Sequence, residues 1–466
     1  MATALRAVEF YSGIGGMHYA LQSSAVAVNV VAAIDINTTA NEVYAHNFPD
    51  TVLMNRNIEG IKLAQFMKFD ADIFTMSPPC QPFTRQGNQK ASDDPRTKSF
   101  LYIMKIIRSL SKPPSYILME NVKGFEVSET REEFIRTIRE TDYCFQEFLL
   151  SPSQFGVPNS RLRYFLIAVH KPLQLPFPET DSIMKSIPAA PNLNTNSKPC
   201  SNFSADNPRS HCPICNKQTL EASNSTEFQS NKTTNNTEHH PLAVQRESLT
   251  NKTESTDFAE GNCSLNLENI KSKKDCKGVN ERHDESTINS ASNISMVNSK
   301  TGLHDAECHK DKSCDHIWNG IKNIQDYLEE RRENFEEFLV PENILKKKVL
   351  LMDIVHTKCN HSCCFTKGYA HYVEGTGSIL QMSSVDSSSI FEKYSEADEE
   401  GKIKLLSPLG LRYFTPREIA NILCFPKHFD FPAKVSRKQK YRLLGNSLNV
   451  LVVAELMKIL FSSGSK

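Results

Sequence analysis

Four short apolar runs, each ending on residues able to do chemistry, constrain this chain more than any other feature. Arg6-Ala7-Val8-Glu9-Phe10-Tyr11 leads into Ser12-Gly13-Ile14-Gly15-Gly16-Met17, and Val28 to Ile34 leads into Asp35. Ala71 to Met76 leads into Ser77-Pro78-Pro79-Cys80-Gln81-Pro82-Phe83, and Tyr116 to Met119 leads into Glu120-Asn121-Val122. Stretches with apolar positions near helical spacing separate them, for example Phe100 to Leu110. Strand alternating with helix predicts an α/β fold with a doubly wound, mostly parallel sheet. Right-handed crossovers put the carboxyl ends of these strands on one edge, where open α/β sheets bind ligands. Gly13, Asp35, Cys80 and Glu120 are therefore expected at one crevice.

Pro78 and Pro79 exclude helix after the third strand and present the Cys80 thiol on an extended loop. The glycine turn reads Phe10-x-x-Gly13-x-Gly15-Gly16, with His18 where a dinucleotide fingerprint would place its third glycine. Its glycines let backbone approach a ligand, and Asp35 follows at the spacing from which an acid reaches ribose hydroxyls. A ligand with an adenosine and an amino-acid carboxylate but no pyrophosphate fits this pattern, and S-adenosylmethionine is such a ligand. The alternative is a tight strand-to-helix connection. Read singly, Glu120 has a lesser alternative as a helix-capping acid, whereas Arg161 with Arg163 reads first as a solvated strand edge. Asn446 is expected to cap a final helix from Leu448 to Leu460.

Taken together and in order, Phe10 to Gly16, Ser77 to Cys80, Glu120 to Val122, Arg161-Leu162-Arg163 and Gly445-Asn446-Ser447 resemble the motifs of the cytosine-5 methyltransferases. Cys364-Phe365-Thr366-Lys367-Gly368-Tyr369 with Glu374 to Ser378 is similar to the signature of that family's RNA-acting branch, which modifies tRNA-aspartate. The resemblance implies that Cys80 adds to carbon 6 of cytosine, which activates carbon 5 for methylation. It assigns Glu120 to the base edge, and Arg161 and Arg163 to the base oxygen and its loop. It implies S-adenosylmethionine held by Phe10, Gly13, Ile14, Gly15, Gly16, Asp35, Ile58, Glu59, Ser77, Ser99 and Asn446. Substrate contacts fall to Arg85, Gln86, Gly87, Cys364, Phe365, Thr366 and Lys367. The implied target is the cytosine at tRNA position 38, in the anticodon loop of tRNA-Asp, with DNA as the alternative and weaker partner. A monomer is expected, in the cytoplasm with the nucleus as a second compartment.

Lys and Arg total 54 and so do Asp and Glu, so no global charge draws the chain to nucleic acid. Ten basic residues against Glu418 and Asp430 between Lys402 and Arg442, interleaved with Tyr413, Phe414 and Tyr441, suggest a local phosphate-binding face. No apolar stretch of membrane-spanning length and no signal peptide are read, so the 13 cysteines are expected reduced. Residues 1–188 are expected to begin the catalytic domain and 401–466 to complete it, around a small target-recognition domain at 317–400 that opens on an acidic helix from Ile324 to Leu339. Residues 189–316, rich in Asn, Ser, Thr and Lys, read as a disordered insert, unable to bury enough apolar surface to offset ordering. His211-Cys212-Pro213-Ile214-Cys215 lacks a second CxxC, so no metal is assigned.

Overall fold

The computed structural model describes residues 3–24, 26–79, 95–188, 320–330 and 335–463. Each apolar run forms a strand: β1 (Leu5–Phe10), β2 (Val28–Asp35), then β3 (Leu53–Asn55), β4 (Ile73–Met76) and β5 (Tyr116–Val122). With β6 (Tyr143–Leu150) and β7 (Arg163–His170) they make a seven-stranded sheet ordered β3-β2-β1-β4-β5-β7-β6. All neighbours among β3, β2, β1, β4 and β5 are parallel, and β7 runs antiparallel to both β5 and β6. The expected doubly wound, mostly parallel sheet is therefore present.

Helices α1 (Gly16–Gln22), α2 (Thr38–Asn47), α3 (Leu63–Phe69), α4 (Pro95–Ser109) and α5 (Glu129–Glu140) connect these strands. Side chains alternate across a strand, so β1 feeds both layers. Val8 and Phe10 join Phe66, Met104 and Phe134 in one core, while Ala7 joins Met17 and Tyr44 in the other. Asn37 caps α2 by accepting from Ala40 N (3.2 Å), and Ser128 caps α5 by accepting from Arg131 N (3.1 Å), so both helices start where the strand edge ends.

Beyond residue 319 a second sheet forms from β8 (Ile354–His356), β9 (Ile379–Gln381) and β10 (Leu411–Tyr413). Leu345, Ile390, Leu406 and Leu411 pack its core with α6 (Glu342–Lys348), α7 (Ser387–Tyr394) and α8 (Glu399–Leu406). The boundary expected at residue 400 thus falls inside α8, and this layer reaches Tyr413. The chain then continues as α9 (Pro416–Ile422), α10 (Arg437–Gly445) and α11 (Val450–Ser462).

Two expectations are corrected here. Among the described residues, the acidic segment from Ile324 forms no α-helix but two single 3₁₀ turns, Ile324–Tyr327 and Glu336–Phe338. Tertiary partners take its backbone groups: Ile324 N donates to Cys359 O (2.8 Å), Gln325 N to Thr357 O (2.9 Å), and Tyr327 O accepts from Asn421 Nδ2 (2.9 Å). The cap of the last helix is Asn449, whose side chain accepts from Val452 N at 3.2 Å, whereas Asn446 closes α10. Arg437–Ser462 is long and apolar enough to cross a membrane by length and composition. It is nevertheless two helices, and the 13 residues of α11 span about 20 Å, short of the roughly 30 Å of a bilayer core. Val452, Leu456 and Leu460 of α11 are core residues. The disorder expected for 189–316 and the His211–Cys215 motif lie outside the described residues.

Candidate active site

The carboxyl ends of β1, β2, β4 and β5 share one edge, and the turn after β1 is left-handed at Tyr11 (φ 55°), Gly13 (54°) and Gly15 (85°). A Cβ at Gly15 would come 2.3 Å from Phe48 Cε2, at the edge of the ring, so that position needs glycine for space as well as conformation. Asp35 ties the turn to β2: its Oδ2 accepts from Gly13 N (2.8 Å) and its Oδ1 from Asn37 N (2.8 Å). Burial pushes its carboxyl up, against the pull of those amides. Ser77 Oγ donates to Tyr11 O (3.1 Å), and Tyr11 Oη donates to Ser99 Oγ (2.9 Å), which brings Ser77 and Ser99 to the same turn. Phe10, Ile14 and Ile58 are core side chains, so their contribution is to shape the turn from behind. Glu59 and Asn446 are exposed.

Sequence reasoning missed Ile36. It follows Asp35 directly and is 69% exposed, an apolar side chain held in the open beside a half-buried carboxylate. An isoleucine breaking the polar character expected after a strand was the available signal. Ser12 Oγ, buried in the turn, has no hydrogen-bond partner. An apolar surface for a base, a carboxylate for hydroxyls and an orphaned hydroxyl in a glycine turn fit an adenosine-containing amino acid.

On β5, Glu120 is nearly buried, and β7 arrives antiparallel with Arg163 paired in register to Val122. Because β7 runs the other way, its first residue reaches the edge where its neighbours end. Arg163 Nε lies 3.5 Å from Glu120 Oε1. Burial pushes the Glu120 carboxyl up, and the guanidiniums of Arg163 and Arg161 partly oppose it. Cys364 joins this group from 203 residues away in sequence, its Sγ 3.3 Å from Arg161 Nη1 and 3.6 Å from Arg163 Nη2. Burial alone would push the thiol up, but the two guanidiniums outweigh it and hold Cys364 below the ordinary thiol value.

Arg161 is itself buried and donates to Phe365 O (2.9 Å), Gly445 O (3.2 Å) and Ser447 O, so it binds protein carbonyls rather than facing solvent. Phe365 is a core ring against Tyr369 and Phe414, Thr366 is half-buried and Lys367 exposed. Cys80, Arg85, Gln86 and Gly87 lie outside the described residues. So does the loop joining Pro79 to α4, while Pro78 O accepts from Asn121 Nδ2 at 3.4 Å beside Glu120.

The basic run from Lys402 to Arg442 is not one face. Arg412 is buried on Glu418, Arg417 donates to Phe429 O (2.7 Å), and Lys402, Lys404, Lys434 and Arg437 pair with Glu399, Glu400, Glu42 and Glu337. Phe414 and Tyr441 belong to the core, which removes the expected aromatic platform.

A buried chain behind the glycine turn also escaped sequence reasoning. Glu9 Oε2 accepts from Tyr44 Oη (2.9 Å), Tyr44 Oη meets His18 Nδ1 (2.8 Å), and Glu9 Oε1 has no partner. Burial pushes Glu9 up to about 8, despite the Tyr44 bond. The unfolded carboxyl ionises near its ordinary 4.5, so its stabilising effect is full below that pH and is lost as pH rises towards about 8. Glu9→Gln removes this titration. Relative to the variant, the native chain is expected to lose several degrees of melting temperature between pH 5 and pH 8. Thermal unfolding at both values checks this, and an equal gap at each would refute it.

Residues 5–462 match the family described as C-5 cytosine-specific DNA methylase. The chain belongs to that family. It is 40% identical over 458 residues to the human tRNA (cytosine(38)-C(5))-methyltransferase, covering 98% of this chain and 99% of the relative. A Dictyostelium discoideum protein named DNA (cytosine-5)-methyltransferase is 34% identical over 473 residues, with 98% and 94% covered. Among solved structures, a variant of Spodoptera frugiperda DNMT2 superposes with a TM-score of 0.66 at 33% identity, covering 98% of this chain and 100% of its own.

Proposed function

We propose that this protein transfers a methyl group to carbon 5 of the cytosine at position 38 in the anticodon loop of tRNA-Asp. The observation that carries the reading is the cluster of Glu120, Arg163 and Cys364 at the sheet edge that also ends in the Asp35 glycine turn. S-adenosylmethionine, held by the Gly13–Gly16 turn, Asp35 and the open face of Ile36, supplies the electrophilic methyl group when bound. Cys80 thiolate adds to carbon 6 of the cytosine, leaving carbon 5 electron-rich. Glu120, whose carboxyl burial pushes up against the opposing guanidiniums, hydrogen-bonds the ring nitrogen edge as negative charge develops there. Arg163 stabilises the base oxygen from beside Glu120. After methyl transfer a base removes the carbon-5 proton, the bond from Cys80 to carbon 6 breaks, and the thiolate is regenerated.

An anticodon loop suits such a site, because its bases are already splayed and extrusion costs less than from a duplex. Lys123, the residue after β5, and Lys367, in the Cys364 loop, are exposed and open to phosphate contact. Methylation of duplex DNA is the competing reading, favoured by the name of the Dictyostelium discoideum relative. The two are separated by offering labelled S-adenosylmethionine with total tRNA and with duplex DNA in parallel, followed by bisulfite sequencing of the tRNA. One methylated cytosine on the 3′ side of the tRNA-Asp anticodon loop is expected. Transfer should fall steeply as salt rises, because phosphate neutralisation releases counterions. An unmodified anticodon loop beside efficiently methylated duplex would give the assignment to DNA.

A further inference from the structure

The turn from Gly445 to Leu448 is wedged between the two halves of the site. On one side, a Cβ added to Gly16, in the glycine turn, would come 3.0 Å from Leu448 Cδ1 and 3.3 Å from Ser447 Oγ. On the other, a Cβ added to Gly445 would come 2.1 Å from Thr366 C and 2.2 Å from Lys367 N, against the backbone of the Cys364–Lys367 loop. Gly445 is the last residue of α10 and does not have a positive φ, so its contact with that loop, not its conformation, demands glycine. Arg161 fastens the same three parts: it donates to Gly445 O and Ser447 O from one nitrogen, and to Phe365 O and Cys364 Sγ from the other. Packed backbone of this kind does not deform continuously, so the two faces of the turn settle together.

We infer that Gly445 and Arg161 are positioning residues through which occupancy of the glycine turn and seating of the Cys364–Lys367 loop favour each other. A cofactor that fixes Gly16 against Ser447 holds Gly445 in place, and Gly445 in turn holds the Thr366 peptide. Linkage requires the effect to be mutual: nucleic acid tightens the cofactor by the factor with which the cofactor tightens nucleic acid. The inference rests on the proposed cofactor reading and goes beyond it, since a site of two independent halves would perform the same chemistry.

The test uses S-adenosylhomocysteine, which fills the cofactor site without reaction. Its affinity is measured by calorimetry with and without tRNA-Asp transcript, and with duplex DNA as a second arm. Hydrogen exchange is followed in the native protein at the amides of Thr366, which donates to Thr376 O (2.9 Å), and Tyr369, which donates to Thr366 O (3.1 Å). Expected are slower exchange at both amides on adding S-adenosylhomocysteine alone, and a tightening by the bound nucleic acid of about five-fold or more. In Gly445→Ala and Arg161→Lys the coupling factor should fall towards one, whatever each change does to the separate affinities. If S-adenosylhomocysteine binds and leaves loop exchange and nucleic-acid affinity unchanged, the inference is overturned and the cofactor reading stands. If it does not bind, both fall. The exchange measurement uses the native protein alone, so it decides the question even where either substitution misfolds.

Discussion

A Cys80→Ala variant is expected to bind S-adenosylhomocysteine as the native protein does and to transfer no methyl group at all. Carbon 5 of cytosine is too poor a nucleophile to attack a methyl sulfonium until carbon 6 has been substituted, and alanine cannot form that bond. Binding should survive because the proposed cofactor site is built from other residues: the left-handed turn of Gly13 and Gly15, the Asp35 carboxylate and the open Ile36. Glu120→Gln should be less severe, lowering transfer by about 10²–10⁴-fold, since the amide keeps the hydrogen bond but cannot exchange the proton. Single-turnover transfer from labelled S-adenosylmethionine, with calorimetry of S-adenosylhomocysteine beside it, measures both. Turnover by Cys80→Ala would sink the covalent mechanism.

The second large effect concerns stability. Arg412 is 1% exposed and Glu418 fully buried, and they are joined by two bonds, Nη1 to Oε2 at 2.7 Å and Nη2 to Oε1 at 2.8 Å. Glu418 also accepts from Thr415 N (2.8 Å), closing the capping box that starts α9, while the Arg412 guanidinium stacks 4.2 Å from the Phe335 ring. Arg412→Met leaves a desolvated carboxylate with no countercharge, and removing one partner of a buried pair costs about 3–5 kcal/mol. Urea unfolding should show that loss. Adding Glu418→Gln should recover part of it, because the charge goes while the oxygen that caps α9 remains. A single variant within about 1 kcal/mol of the native chain would contradict this reading, since a typical exposed pair is worth no more than that.

Arg412 also shows why part of this protein was not legible in one dimension. In the sequence it is one of ten basic residues between Lys402 and Arg442, and such a run reads as a nucleic-acid face. Packing alone decides that Arg412 points inward to Glu418 while Lys427, Lys438 and Arg442 stay outside. The acidic segment after Ile324 failed for the same reason. Its local pattern suits a helix, but Cys359, Thr357 and Asn421 hold its backbone groups in another course.

What the chain determined by itself is the sheet and its working edge. Each strand's identity is written in its own apolar run, and alternation with helices leaves one economical topology, so Asp35, Ser77 and Glu120 reach one edge by local pattern and handedness alone. The glycine turn was legible too, because left-handed backbone at Gly13 and Gly15 is a property of those residues. Tertiary structure decided the rest: that β7 enters reversed and carries Arg163 to Glu120, that Cys364 comes under both arginines from 203 residues away, and that Gly445 has backbone where a side chain would be. Periodicity reports which face of an element is buried. It carries no information on which distant element covers that face, and those contacts exist only once the layers have packed.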